Sequence, residues 1–168
     1  MRKLLAAVAA TVALVASPAP AFASYVQSFQ SDALRNNTYL TSRGTNQSAG
    51  VQSVNGRVTR WTVEFVKPIN GHSMVKLKDA SNEPSDGCLD SNGQNSGGNP
   101  QVKACNDLDN QKWEQFSFGN YFVFKSYGAF SYHGWHVCIQ APTGLNPDHT
   151  NKVFMYTCNT DSRYQRWF

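Results

Sequence analysis

Four cysteines are the residues of this chain with the clearest chemistry: Cys88, Cys105, Cys138 and Cys158. A structural zinc site uses close pairs of the Cys-x2-Cys kind, and no two of these cysteines are that close in sequence. Their spacing therefore favours two disulfides, and four cysteines allow three pairings. Cross-links of this kind are typical of chains exported to an oxidising compartment.

Sequence patterns for catalysis and for metal binding are missing. The chain has no Gly-x-Ser-x-Gly motif and no phosphate-binding glycine loop, and its 11 acidic residues form no assignable carboxylate pair. His133 and His136 have no acidic neighbour that would complete a metal site. The stretch that begins at Asp90 has Asn95 and Gln101 where a calcium loop requires Gly and an acid. We therefore expect no enzymatic activity, no metal site and no cofactor.

Residues 1–23 have the pattern of a secretory signal peptide. A basic start at residues 2–3 precedes an apolar run over residues 4–16, and Ala21-Phe22-Ala23 matches a cleavage site. The run is shorter than the roughly 20 residues that span a bilayer, and an uncleaved anchor is the alternative. We expect a secreted, extracellular product of 145 residues (168 − 23), without a membrane span, that begins near Ser24.

Removal of this segment also removes half of the positive net charge. The charge falls from +4 to +2, because Arg2 and Lys3 leave with the segment. A nucleic-acid-binding protein would present a concentrated basic face, so we expect no nucleic-acid partner. The remaining length corresponds to one domain with a single core.

The mature sequence has the composition of an all-β domain. Helix-forming Leu and Ala are scarce after residue 34, and turn dipeptides such as Asn55-Gly56 and Asn92-Gly93 are frequent. Between the turns lie short runs of β-branched and aromatic residues, as in residues 58–66 and 121–124. No window has sustained helical spacing. We predict a barrel or sandwich of many short strands.

Three tryptophans mark an internal repeat. Trp61, Trp113 and Trp167 are separated by 52 and 54 residues, and the last two follow Gln-Lys and Gln-Arg. Each tryptophan has a matching element upstream, namely Thr38-Tyr39-Leu40-Thr41, Gly87-Cys88-Leu89-Asp90 and Val137-Cys138-Ile139-Gln140. The mature chain is therefore three copies of one unit, of which the first is degenerate, and such units must close together to bury a core.

Cys-Leu-Asp, a second Cys and Gln-x-Trp, repeated in this order, resemble the ricin-type (ricin B-like) β-trefoil lectin domain. The resemblance implies a β-trefoil over residues 24–168 with pseudo-threefold symmetry and repeats at about 24–66, 67–118 and 119–168. It also implies that Trp61, Trp113 and Trp167 pack in the core. The repeat selects one disulfide pairing, Cys88–Cys105 and Cys138–Cys158, in which each bond lies within one repeat.

The resemblance also implies a sugar site in the second repeat. A sugar site needs a carboxylate, an aromatic face and amides that donate and accept hydrogen bonds. Asp90, Gln101, Asn110 and Gln111 match the family's positions, and Lys103 stands where the family has an aromatic residue. Asp90 could alternatively form a turn with the residues that follow it, Lys103 could pair with Asp90, and Gln111 could have a structural role.

The other two repeats depart from the family's sugar-binding pattern. Tyr156 restores the aromatic residue in the third repeat and makes it a possible weak second site, but Gln140, Phe154 and Tyr164 replace the family's Asp, Gln and Asn. The first repeat has Thr41 at the Asp position. We therefore expect one weak, monovalent site.

Three functions fit these features. The first is a secreted carbohydrate-binding lectin whose partner is a glycan or glycoconjugate. The second is a non-catalytic cell-binding or scaffold subunit of a secreted toxin or multi-protein complex, favoured by the damaged sites and by the aromatic residues 121–135. Within that segment, residues 127–135 have the character of a long loop insert. A trefoil protease inhibitor is the third, although no reactive loop is evident.

Overall fold

The computed structural model describes residues 24–34, 37–53, 60–80, 87–93, 95–144 and 151–168, so the expected signal peptide lies outside the described residues. In these ranges the chain forms short β-strands, one α-helix and two 3₁₀ helices. The strands are β1 (Ser24–Gln27), β2 (Thr38–Thr41), β3 (Gly50–Ser53), β4 (Trp61–Ile69), β5 (His72–Asp79), β6 (Gly87–Asp90), β7 (Gln101–Ala104), β8 (Trp113–Phe118), β9 (Tyr121–Ser126), β10 (Val137–Gln140), β11 (Asn151–Lys152) and β12 (Phe154–Thr157). The helices are α1 (Tyr127–His133) and the 3₁₀ turns Asp109–Gln111 and Arg163–Gln165.

Each repeat contains one short antiparallel strand pair with the same register. β2 pairs with β3, β6 with β7, and β10 with β12. Cys88 lies opposite Lys103 in the second pair, and Cys138 lies opposite Tyr156 in the third. Lys103 and Tyr156 therefore occupy equivalent positions.

Longer strand pairs join these units into a barrel. Trp61 lies opposite Asp79 in the pair β4–β5, and Trp113 lies opposite Ser126 in the pair β8–β9. The two ends of the described chain meet, since the backbone N–H groups of Gln30 and Phe168 each donate to the other residue's carbonyl, at 3.0 and 2.9 Å. The all-β architecture with threefold repetition agrees with the prediction.

Three tryptophans occupy equivalent places in the core. Trp61, Trp113 and Trp167 are fully buried. Their indole N–H groups donate to the carbonyls of Leu40 (3.1 Å), Leu89 (2.9 Å) and Ile139 (3.4 Å), respectively. Because each acceptor lies on the short strand pair of the same repeat, the indole both fills the barrel and ties that pair to it.

The two disulfides are those that the repeat selects. Cys88 bonds to Cys105 and Cys138 bonds to Cys158, across 17 and 20 positions of the chain. Each disulfide links the second residue of the first strand of a short pair to the residue that directly follows the second strand. The loop from which Gln111 or Gln165 comes is therefore anchored in both repeats.

The aromatic insert is a helix, where the sequence predicts a long loop. Ser126 caps α1 by accepting a hydrogen bond from the Ala129 N–H at 3.1 Å, and Gly134 ends it in the left-handed region at φ 70°. Seven residues are too few to show helical periodicity in the sequence. The helix is held by packing on the 3₁₀ turn at residues 109–111, with the Tyr127 N–H donating to the Lys112 carbonyl at 3.0 Å.

Candidate functional site

The second-repeat residues named by the sequence pattern do come together. Asp90 ends β6 and lies opposite Gln101, which begins β7. Gln111 reaches the same place from the 3₁₀ turn, with its Nε2 3.3 Å from Oδ2 of Asp90. Lys103 lies on the neighbouring strand, with Nζ 3.9 Å from Oδ1 of Asp90.

Gln111 is held inside the fold, which supports the structural role that the sequence left open for it beside that of a sugar ligand. Its side chain is fully buried. Oε1 accepts from the Asn106 N–H at 2.8 Å, and Nε2 donates to the Ala104 carbonyl at 2.9 Å as well as to Asp90. Both amide donors and the oxygen are in use, so this amide holds the loop and positions Asp90.

Asp90 is also largely withdrawn from solvent, with 3% of its surface exposed. Its Oδ1 accepts the Asn92 N–H at 2.6 Å, which closes the turn expected as the alternative role of this residue. The ammonium of Lys103 lies near the same oxygen and donates to Oδ1 of Asn92. A lysine thus takes the place beside the carboxylate where the family has an aromatic ring.

Helix α1 closes the side of the second-repeat site at Asn110. The side-chain oxygen of Asn110 is buried and has no hydrogen-bond partner among the described residues. Gly128 of α1 packs directly against it, so closely that a Cβ there would lie 2.7 Å from the Asn110 Cα. This oxygen therefore faces the helix instead of an open cavity.

The third repeat has the same amide frame around a different residue. Oε1 of Gln165 accepts from the Asn159 N–H at 2.8 Å, and Nε2 donates to the Thr157 carbonyl at 2.9 Å. The same Nε2 donates to Oε1 of Gln140 at 3.0 Å. Gln140 thus stands where Asp90 stands in the second repeat, with a neutral amide in place of the carboxylate.

An open cavity lies beside this third-repeat frame. Its volume is about 250 Å³, and Gln140, Tyr156 and Gln165 are among its lining residues. Tyr156 is 51% exposed, so much of its ring is accessible to a ligand. The sequence pattern assigned this repeat a weak site only. The Gln of Gln-x-Trp recurs in both repeats. This recurrence is the sequence signal for an amide frame in the third repeat like that in the second.

Among its described residues, the first repeat has no comparable polar set. Thr41, at the position of Asp90, lies opposite Gly50. The Arg43 side chain packs over Gly50, where a Cβ would lie 2.8 Å from its Nε. Thr41 therefore supplies no carboxylate, and the Arg43 side chain lies at this position.

The described part of the chain lacks two other kinds of feature. It has no group of three or more His, Cys, Asp and Glu side chains placed to hold a metal ion. None of its helices is long and apolar enough to cross a membrane.

Comparison with known families identifies the fold. The family model of the ricin-type beta-trefoil lectin domain matches residues 33–167. The chain belongs to this family. Its members are carbohydrate-binding, non-catalytic modules, and the β-trefoil, the tryptophan core and the two disulfides of the ricin-type domain are as predicted. No curated protein sequence matches this ricin-type chain.

Solved structures share the fold at low sequence identity. One is a lectin of Polyporus squamosus bound to the human-type influenza-binding epitope Neu5Aca2-6Galb1-4GlcNAc, with a TM-score of 0.62 and 17% identity over 85% of this chain. Another is a mosquitocidal holotoxin, with a TM-score of 0.61 and 15% identity over 88% of this chain. The ricin-type chain covers only 47% of the first and 17% of the second.

Proposed function

We propose that this ricin-type protein is a secreted lectin that binds a sugar ring in the third-repeat cavity. The observation that carries the proposal is the open cavity in which an exposed tyrosine, Tyr156, stands beside a held amide, Gln140. The pattern of a signal peptide over residues 1–23 supports export.

The chemistry of this cavity suits one face and one edge of a pyranose. The ring of Tyr156 offers a surface for the apolar face of the sugar. Gln165 donates to the oxygen of Gln140, which fixes that amide and directs its Nε2 donors to a hydroxyl acceptor. Because this contact is neutral, it is weaker than one to a carboxylate, so we expect weak binding that gains strength from multivalent display.

The second repeat is the competing location for the sugar. Its residues Asp90, Gln101 and Asn110 retain the family's polar groups, but Lys103 lies beside the carboxylate and α1 covers the oxygen of Asn110. A sugar would have to displace the lysine and compete with a turn hydrogen bond from Asn92. The third-repeat cavity needs neither change.

Glycan-array screening followed by titration calorimetry tests the assignment. The Tyr156→Ala variant is expected to lose most of the binding, because the exposed ring is removed. The matched change Lys103→Ala, at the equivalent position of the second repeat, is expected to leave affinity unchanged. Loss of binding in Asp90→Ala with full binding in Tyr156→Ala would place the site in the second repeat, and absence of any glycan binding would refute the lectin function.

A second candidate function is that of a non-catalytic subunit in a larger secreted assembly. Its support is the set of exposed aromatic side chains on and after α1, namely Phe130, Tyr132 and Trp135. The shared fold with a mosquitocidal holotoxin is compatible with it. Size-exclusion chromatography of the culture supernatant distinguishes the two functions, because a free lectin elutes as a monomer and a subunit elutes with its partners.

A further inference from the structure

Helix α1 lines one side of a second cavity, which shares no lining residue with the third-repeat cavity. Its volume is about 250 Å³. Met74 of β5 is buried at this cavity, and Tyr127 and Phe130 line it from the helix. Because a cavity for a drug-sized ligand has at least about 300 Å³, this volume suits a single ring.

A carboxylate and an ammonium group are buried together at this cavity. Nζ of Lys125 lies 3.0 Å from Oε2 of Glu114, and both side chains are largely withdrawn from solvent. The Lys125 Nζ also lies 4.8 Å from the centroid of the Phe130 ring, which helps to hold the ammonium in place. His72, whose side chain is partly exposed, contacts Oε1 of Glu114 from the edge of the cavity.

The fold itself does not require the carboxylate. Glu114 lies opposite Lys125 in the pair β8–β9, and the equivalent position of the pair β4–β5 has Thr62 opposite Lys78. An uncharged side chain is thus accepted there, and burying a charge pair adds little stability compared with apolar side chains. Glu114 and α1 meet at this one cavity, which indicates a binding role for the carboxylate.

The groups around the cavity match a neutral sugar. Each sugar hydroxyl both donates and accepts hydrogen bonds, and an adjacent carboxylate and ammonium supply one acceptor and one donor group. The two charges cancel, so a charged ligand would leave one of them unbalanced. The aromatic lining serves the apolar face of the ring.

We propose that the cavity beneath α1 binds a single neutral pyranose ring, as a sugar site separate from the three repeat positions. This inference rests on the proposed carbohydrate-binding function. Glu114 accepts from one hydroxyl of the sugar, Lys125 donates to its neighbour, and Phe130 and Tyr127 enclose the ring.

The test is an NMR titration of ¹⁵N-labelled protein with the methyl glycosides of galactose, glucose and mannose. We expect two independent groups of shifting amides, one around Gln140 and Tyr156 and one around Met74, Glu114 and Lys125. Glu114→Thr introduces the residue type that the first repeat has at the equivalent position, Thr62. Phe130→Ala truncates a cavity-lining side chain that is 38% exposed, and it keeps the test valid if Glu114→Thr fails to fold.

Each variant is expected to weaken binding at the α1 cavity by about tenfold or more and to leave the third-repeat amides responsive. Tyr132→Ala is the matched control, since Tyr132 is exposed on the same helix and does not line the cavity. Tyr156→Ala is expected to remove only the third-repeat response.

Several outcomes would overturn the inference. A wild-type response confined to the third-repeat amides would refute it and leave the proposed function standing. A response confined to the α1 cavity would support it and refute the third-repeat location, and no response at either place would refute both. Shifts that persist in both variants would exclude the α1 cavity as the place of binding. Shifts that are larger with indole than with every glycoside would exclude a pyranose as its ligand.

Discussion

Gln165 donates a hydrogen bond of 3.0 Å to Oε1 of Gln140, and in the preceding repeat Gln111 makes the corresponding bond to a carboxylate oxygen of Asp90. One amide frame therefore supports two different residues in two repeats. In the second repeat the supported group is charged and covered by Lys103, whereas in the third it is neutral and lies beside an open cavity. The second repeat thus has the charged group, and the third repeat has the accessible cavity.

A carboxylate placed beside the open cavity of the third repeat should strengthen sugar binding. The Gln140→Asp change places a carboxylate beside the donor of Gln165 and beside Tyr156, with no lysine at the equivalent of Lys103. Charge-assisted hydrogen bonds are about twice as strong as neutral ones, so we expect affinity to rise by about tenfold in titration calorimetry. Asp90→Asn is the control and should leave the affinity unchanged. If the affinity of Gln140→Asp does not rise, the third-repeat assignment is contradicted.

Removing the buried amide of the second repeat should destabilise the fold. Gln111→Ala leaves the Asn106 N–H and the Ala104 carbonyl without their partner and opens a cavity. We expect a loss of about 2–4 kcal/mol in the free energy of unfolding, measured with urea. Gln52→Ala, an exposed glutamine on β3, should change it by less than about 0.5 kcal/mol. An equally small loss for Gln111→Ala would contradict the structural role.

A methyl group at Gly128 should push α1 away from the 3₁₀ turn beneath it. The added Cβ would lie 2.7 Å from the Asn110 Cα, so the Gly128→Ala variant should lose about 1–3 kcal/mol of stability by overpacking. Gly144→Ala is the matched control, because no atom lies within 4 Å of a Cβ there. Thermal unfolding of both variants measures the difference. A Gly128→Ala variant as stable as the control would mean that the contact is loose.

The ion pair between Lys76 and Asp107 should make stability depend on pH. The hydrogen bond and the charge of Lys76 lower the pKa of the Asp107 carboxyl below its ordinary value. A carboxyl with a lowered folded-state pKa stabilises the protein above the pKa of the unfolded chain, and this contribution disappears as the pH falls through the folded-state pKa. Asp107→Asn should therefore be less stable than the wild type at pH 7 and equally stable at about pH 2.

Urea unfolding at the two pH values measures this effect. Asp161→Asn serves as the control, because its carboxylate is as exposed as that of Asp107 but lies 4.0 Å from the Arg166 nitrogen, against 2.6 Å between Asp107 and Lys76. Exposed pairs at such distances contribute little. A stability difference for Asp107→Asn that is the same at both pH values would show that the ion pair is not its cause.

The repeat explains why so much of the architecture could be read from the sequence. Turn dipeptides and short alternating runs indicate strands through local backbone preferences. The recurring Trp61, Trp113 and Trp167 identify one unit three times, and the fold places each indole against the same carbonyl of its unit. The resemblance to the ricin-type family, and the disulfide pairing that the repeat selects, are borne out by the family match and by the bonds themselves.

Accessibility could not be read in the same way. The pattern named Asp90 and Gln111 for one site, and the fold brings the two side chains into contact, but the pattern did not predict that Gln111 is buried with its amide bonded to the backbone. The pattern also predicted a loop over residues 127–135. A helix of seven residues has too few turns to show helical periodicity. Its stability comes from the cap at Ser126 and from packing of Gly128 on Asn110, which lies 18 positions earlier in the chain.

The sequence by itself determined the all-β class, the threefold repeat and the cysteine pairing, because these follow from local preferences and from a pattern present more than once. The tryptophan core came from the resemblance to the ricin-type family. Only the tertiary structure decided which polar groups face solvent. Lys103 beside Asp90, Gly128 against Asn110 and the open ring of Tyr156 result from contacts between segments distant in the chain. Such contacts depend on three-dimensional packing, in which a single side chain opens or closes a site.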